Sequence, residues 1–174
     1  MNSTTTTAAP LAANPGALAR VIAAAHAAFA RIPESLVALL ARFSIAAVFW
    51  NSGQTKVEGF ALNLVSGTFE FGWPRLSSSA VDLFRDEYKL PLLPPELAAV
   101  MATVGEHALP LLLLLGLGTR LTSFALLVMT AVIQSLVYPG AYATHGVWAA
   151  VLLWLMLRGP GVVSLDHVIS RHQR

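Results

Sequence analysis

The sequence predicts an all-α integral membrane protein: a four-helix bundle preceded by an amphipathic N-terminal helix, with a long loop between its first and second membrane helices. Three observations lead there. Of 174 residues, 56% are apolar and only 11% charged, whereas a soluble domain carries about 25% charged residues. Mean hydropathy is +0.66, too high for an ordinary water-soluble globule. The apolar residues gather into four runs near the roughly 20 residues that cross a bilayer core.

Residues 1–16 (MNSTTTTAAPLAANPG) lack charge and the basic start of a signal peptide, and read as a disordered tail. Over 17–34, Leu18, Ile22, Ala25, Phe29 and Ile32 recur at helical spacing with Arg20 and Arg31 opposite. That pattern suits an amphipathic helix on the membrane surface, or equally an Ala-rich soluble extension. Pro33 opens the membrane domain at 35–168, with spans at about 36–54, 97–118, 121–138 and 141–157. Pro110 lies inside the second span, where it is expected to kink the helix. The fourth stops at Arg158-Gly159-Pro160-Gly161, a strong helix terminator. Residues 169–174 form a short tail.

About forty residues separate the first two spans, too many for a simple turn. Within them Ala80 to Tyr88 can form a short amphipathic helix with Val81, Phe84 and Tyr88 on one side, and KLPLLPPE makes an extended return to the bilayer. The segment reads as a lid over one mouth of the bundle, and the loop at 57–96 as the surface for a protein partner. The bilayer itself is the other partner.

Orientation follows from the flanking charges. Arg20, Arg31, Arg120, Arg158, Arg171 and Arg174 fall on one side with Glu34 and Asp166. Lys56, Arg75, Arg85 and Lys89 fall on the other with six carboxylates. Both termini are therefore expected in the cytoplasm, the chain being multi-pass in a bacterial plasma (inner) membrane. The scattered charges form no basic stripe, which argues against nucleic acid despite a pI near 9.4.

Charge inside a bilayer is costly and normally partnered. Arg42 lies about six residues into the first span, roughly 9 Å, and Glu106 about ten residues into the second, roughly 15 Å. Counted through a core about 30 Å thick, the two come within reach, so an Arg42–Glu106 ion pair is expected. Arg42, Phe49, Gly53 and Lys56 share a helix face, and Ser123, Thr130 and Gln134 form a polar stripe on the third span. With His107 and His145, the residues Lys56 and Gln134 outline a candidate polar pocket opening outward. The stripe also suits plain interhelical packing, and the four Trp residues suit interfacial anchoring. No cysteine is present, which excludes thiol chemistry and thiolate metal sites in this chain. The depths of His107 and His145 match poorly for a metal, so none is expected. No catalytic motif appears.

The runs ARFSIAAVFWNSGQTK, EHALPLLLLLGLGTR and VIQSLVYPGAYATHGVWAAVLLWLMLRGPGVVSLD occur in an order and spacing that resembles the DoxX family of small four-helix bacterial membrane proteins. The likeness covers about 36–168 and rests on Gly53 with Lys56, on Glu106 leading into Thr119-Arg120, and on Arg158 to Asp166. EYKLPLLPPELA (Glu87 to Ala98) is similar to a common subgroup of that family. The resemblance implies an accessory role in a membrane redox system, linked to quinone or to oxidative stress, with quinone as the cofactor it suggests. A non-enzymatic scaffold, chaperone or small-solute carrier is the alternative. No catalytic residues carry over from the family, and the oligomeric state is left open.

Overall fold

The computed structural model describes residues 16–63 and 66–172, and the tail expected at 1–16 falls almost wholly outside them. The chain divides after Pro33 into two units. The first contains α1 (Ala17–Phe29), an apolar helix with Leu18, Val21, Ile22 and Phe29 exposed.

In the second unit, four helices are long and apolar enough to cross a membrane. They are α2 (Glu34–Gln54), α4 (Pro95–Leu115), α5 (Thr119–Val132), prolonged by a π-helical turn over Ile133–Val137, and α6 (Tyr142–Arg158). Their inward faces share one core of Ala38, Ile45 and Phe49 from α2, Leu113 from α4, Leu126 from α5, and Leu152 and Leu155 from α6. Their outward faces carry Leu40, Phe43, Val104, Leu121, Phe124 and Leu157 in the open. Apolar residues all round a helix are what a lipid solvent requires, because every backbone bond is made inside the helix.

The helix ends follow their local sequence. Pro95 occupies the first turn of α4, where its missing N–H costs nothing. Gly116, at φ +67°, closes α4 in the left-handed region, with Leu117 N–H donating to Leu112 O at 2.9 Å. The start of α5 is capped from far along the chain: both oxygens of Asp166 accept, from Gly118 N–H at 2.7 Å and Thr119 N–H at 2.9 Å. A carboxylate there satisfies two free donors and opposes the helix dipole. Asp166 belongs to α7 (Leu165–His172), a helix over most of the stretch read as a tail.

The loop between α2 and α4 corrects the all-α expectation. It opens with an antiparallel hairpin, β1 (Val57–Asn63) against β2 (Thr68–Leu76), in the register Phe60 to Phe71 and Leu62 to Phe69. Gly59 and Gly72 let the strands close at an irregularity, since a Cβ on either would strike the opposite backbone. After the hairpin come α3 (Ser78–Asp82), capped by Ser77 Oγ, and a π-helical turn over Leu83–Tyr88. This second part packs on the N-terminal end of α4 through Phe84, Ala98 and Ala99. The short helix expected around Ala80–Tyr88 is therefore helical, with its second turn widened. Arg85 bridges Asp82 and Glu96 on its exposed side, a contact worth little in water.

Candidate functional site

Four residues of α2 and its C-terminal turn bury one face: Arg42, Phe49, Gly53 and Lys56. Gly53 permits α4 to approach closely, for a Cβ there would sit 2.8 Å from the His107 ring and 3.1 Å from Glu106 Cβ. That contact brings Lys56 to Glu106, with Nζ to Oε2 at 2.7 Å, and leaves the two residues 2% and 4% exposed. The ammonium also donates to Ser52 O and Ser52 Oγ, each at 3.1 Å. All three of its donors are satisfied, as burial of a charge demands. Glu106 Oε1 has no protein partner among the described residues.

The ion pair expected between Arg42 and Glu106 is not formed. Lys56 holds the carboxylate, while Arg42 donates to the carbonyls of Val163 and, at 3.4 Å, Leu114. The reason is helix stagger. Lys56, just beyond the end of α2, lies opposite a residue eleven positions into α4, so the N-terminal end of α4 stands roughly 16 Å beyond it. Arg42 is thereby carried to the C-terminal end of α4, beside Gly116 and the segment leading to α7.

His107 leaves α4 about 100° round the helix from Glu106 and does not line the cavity. Its Nδ1 lies 2.7 Å from Thr103 O and its Nε2 2.9 Å from Gln54 Nε2, and Gln54 Oε1 in turn accepts from Leu62 N–H at 2.6 Å. Trp50 Nε1 donates to Leu62 O at 2.9 Å, and the Trp50 ring meets His107 edge-on. Both backbone groups of Leu62 are thus taken up by α2 side chains, which covers that edge of β1. Gln54 and Trp50 clamp the hairpin, and His107 backs both of them. Replacing Gln54 by Leu is expected to raise hydrogen exchange in β1 at least about tenfold, since the Leu62 amide loses its acceptor. Exchange mass spectrometry on peptides from 57–76 reads this directly, and unchanged protection would refute the clamp.

Between the four long helices lies a cavity of about 470 Å³, in the range of small-molecule sites. Its walls are almost wholly apolar, with Phe49 and Trp148 in tilted contact at 5.8 Å. Six lining residues bring polar groups: Ser52, Glu106, His145, Tyr88, Tyr138 and, through its indole N–H, Trp148. Of the expected pocket residues, His145 lines this space, while Lys56 stands behind Glu106 and Gln134 behind His145. His145 Nδ1 is 2.7 Å from Gln134 Oε1, and Gln134 Nε2 donates to Pro139 O. The stripe expected on the third span divides: Thr130 bonds its own helix at Leu126 O, Ser123 is buried, and Gln134 alone reaches a cavity residue.

Sequence reasoning placed Tyr88 on the lid helix but did not mark Tyr138. The rings meet edge-on at 5.8 Å, joining the lid to the π-helical end of α5. Tyr138 donates to Glu87, and that bond to a carboxylate holds its hydroxyl well above the usual tyrosine range. Burial raises Tyr88. Both stay protonated at neutral pH. Two aromatic hydroxyls flanking a span end and a lid were the available signal, weak because tyrosine is common at membrane interfaces.

No curated protein and no solved structure matches the chain. A family model described as DoxX matches residues 37–139, which include all but the first three residues of α2, the whole loop, α4, α5, and both Lys56 and Glu106. With more than half the sequence matched, this membrane protein belongs to the DoxX family.

Proposed function

We propose that this DoxX-family protein is an accessory subunit of a membrane redox system, quinone-linked or protective against oxidative stress, whose cavity holds a lipophilic carrier of the quinone class. The observation that carries this reading is the cavity itself: apolar, aromatic-walled, set among all four long helices, with a buried carboxylate and an imidazole in its lining. A flat, greasy ring with a small polar edge matches those walls. The chain's part is to hold the carrier, and a partner protein exchanges electrons with it. On this reading both termini lie in the cytoplasm of a bacterial cell, which Arg120, Arg158 and Arg171 at one end of the helices and the acidic loop at the other support. The apolar residues of α1 suit a membrane surface. Purification in a gentle detergent, with mass spectrometry of everything that accompanies the protein, tests the reading. A bound quinone or oxidoreductase subunit is expected, and protein free of both would overturn it.

A second reading, a scaffold, chaperone or small-solute carrier recruiting partners through 57–96, has one observation in its favour. Phe69, Phe71 and Trp73 alternate along β2 and stand in the open, the last two 79% and 82% exposed. An exposed aromatic row on a strand marks an interaction surface. A photo-crosslinking residue in place of Phe71 distinguishes its occupants: a discrete protein adduct supports recruitment, and adducts to lipid alone remove it.

A further inference from the structure

The hydrogen-bond state of the cavity wall narrows what it can bind, given that it holds a lipophilic carrier as proposed above. Tyr138 donates to Glu87, and Ser52 Oγ accepts from Lys56 with its own hydrogen left over. The Trp148 indole N–H has no acceptor among the described residues, and two acceptor atoms on the wall have no donor there. One is Glu106 Oε1, whose sister oxygen is held by Lys56. The other is His145 Nε2, on a side chain only 6% exposed.

The character of the second atom follows from its neighbours. Gln134 spends its NH₂ on Pro139 O, so its oxygen faces His145, and Nδ1 must carry the hydrogen between them. In the neutral imidazole Nε2 is then a lone pair. Both of these atoms are acceptors; a ligand offering only carbonyl or ether oxygens can take the Ser52 or Trp148 hydrogen but leaves them unmet in an apolar space, which is unfavourable, whereas an alcohol both accepts and donates. Lys56 cancels the charge of Glu106, so the wall as a whole is neutral and gives no advantage to a cation. Met101 on α4 and Val128 on α5 line the cavity and are also exposed on the outer faces of their helices. The space therefore reaches the lipid-facing side between α4 and α5.

We propose that the cavity selects a neutral, lipid-dissolved aromatic alcohol, a phenol or hydroquinone, over the matching ether or quinone, its O–H donating to Glu106 Oε1 or His145 Nε2. On this proposal the reduced form of a quinone-class carrier is the form retained.

The test uses the full chain in phosphatidylcholine nanodiscs, with empty nanodiscs subtracted for partitioning. Calorimetric titrations compare 4-decylphenol, its methyl ether and decylbenzene, which share ring and tail and differ in the donor. A decyl-substituted hydroquinone and its quinone form a second pair. The phenol is expected to bind at least about tenfold more tightly than the ether, and the hydroquinone more tightly than the quinone by a similar factor. Lys56→Met with Glu106→Leu removes the carboxylate together with its counter-charge, and His145→Phe keeps a ring without the lone pair. Each is expected to narrow the phenol-to-ether ratio, and the second variant keeps the test alive if the first fails to fold. Equal binding of phenol and ether overturns the donor rule while leaving the carrier reading in place if the hydroquinone–quinone pair binds. Decylbenzene equal to phenol marks a space for acyl chains and overturns it too. Failure of all five probes to exceed empty nanodiscs overturns both.

Discussion

Lys56→Met is expected to be among the most damaging single changes in this protein, and Glu106→Gln nearly as harmful. Either leaves one ionised group without its counter-charge in a place with almost no solvent. Breaking such a pair costs about 3–5 kcal/mol, because the surviving ion keeps its desolvation penalty and loses its attraction. Lys56 would retain Ser52 O and Ser52 Oγ, so the loss in Glu106→Gln falls toward the lower end. The double change Lys56→Met with Glu106→Leu removes both charges at similar volume and is expected to recover most of the stability, within about 1–2 kcal/mol of the parent. Thermal melting in one detergent, with size-exclusion profiles, compares the four proteins. A double variant no better than the singles would show that the pair does more than neutralise itself.

That pair also shows where the sequence stopped being informative. Burial of charge singled out Arg42 and Glu106, and both are buried. The partner was misassigned because depth was counted from span ends, and how far one helix slides along another is not written in either. Gly53 held the missing clue. A glycine three residues before Lys56 marks a close approach, and it is this contact that sets the register of α2 on α4. Arg42 was harder still, since its partners are main-chain carbonyls of Leu114 and Val163, and any residue supplies a carbonyl. Long apolar runs made the four helices legible with near-correct ends. The hairpin did carry a signal, aromatic residues at 69, 71 and 73 in strict alternation, which is the period of a strand. A loop between spans invites attention to its amphipathic helix, and that alternation was passed over. His107 falls outside the cavity because successive residues point about 100° apart, and the neighbour of Glu106 on the cavity side is Gly105.

The junction of α4, α5 and α7 offers a prediction in which backbone strain and steric overlap can be separated. Gly116 and Gly118 both have positive φ, +67° and +58°, a region in which an L side chain is strained by about 1–2 kcal/mol. Around Gly118 a new Cβ would meet only Thr122 Oγ1 at 4.0 Å, whereas at Gly116 it would overlap Arg42 Nη1 and Ser164 Cβ. Gly118→Ala should therefore cost the backbone strain alone. Gly116→Ala should cost that strain and also displace the Arg42 guanidinium from the Val163 carbonyl. The same displacement pushes on Ser164, whose Oγ accepts from His167 N–H at the start of α7. The Gly116 carbonyl itself accepts from Asp166 N–H, and Asp166 caps α5, so one methyl group loosens α4, α5 and α7 together. A penalty beyond about 3 kcal/mol is expected for Gly116→Ala, well above Gly118→Ala, with Gly146→Ala as a control where nothing lies within 4 Å. Melting curves of the three variants in one detergent decide it. If Gly116→Ala and Gly118→Ala fall by the same amount, backbone strain explains both, and the guanidinium of Arg42 is free to move aside without loss.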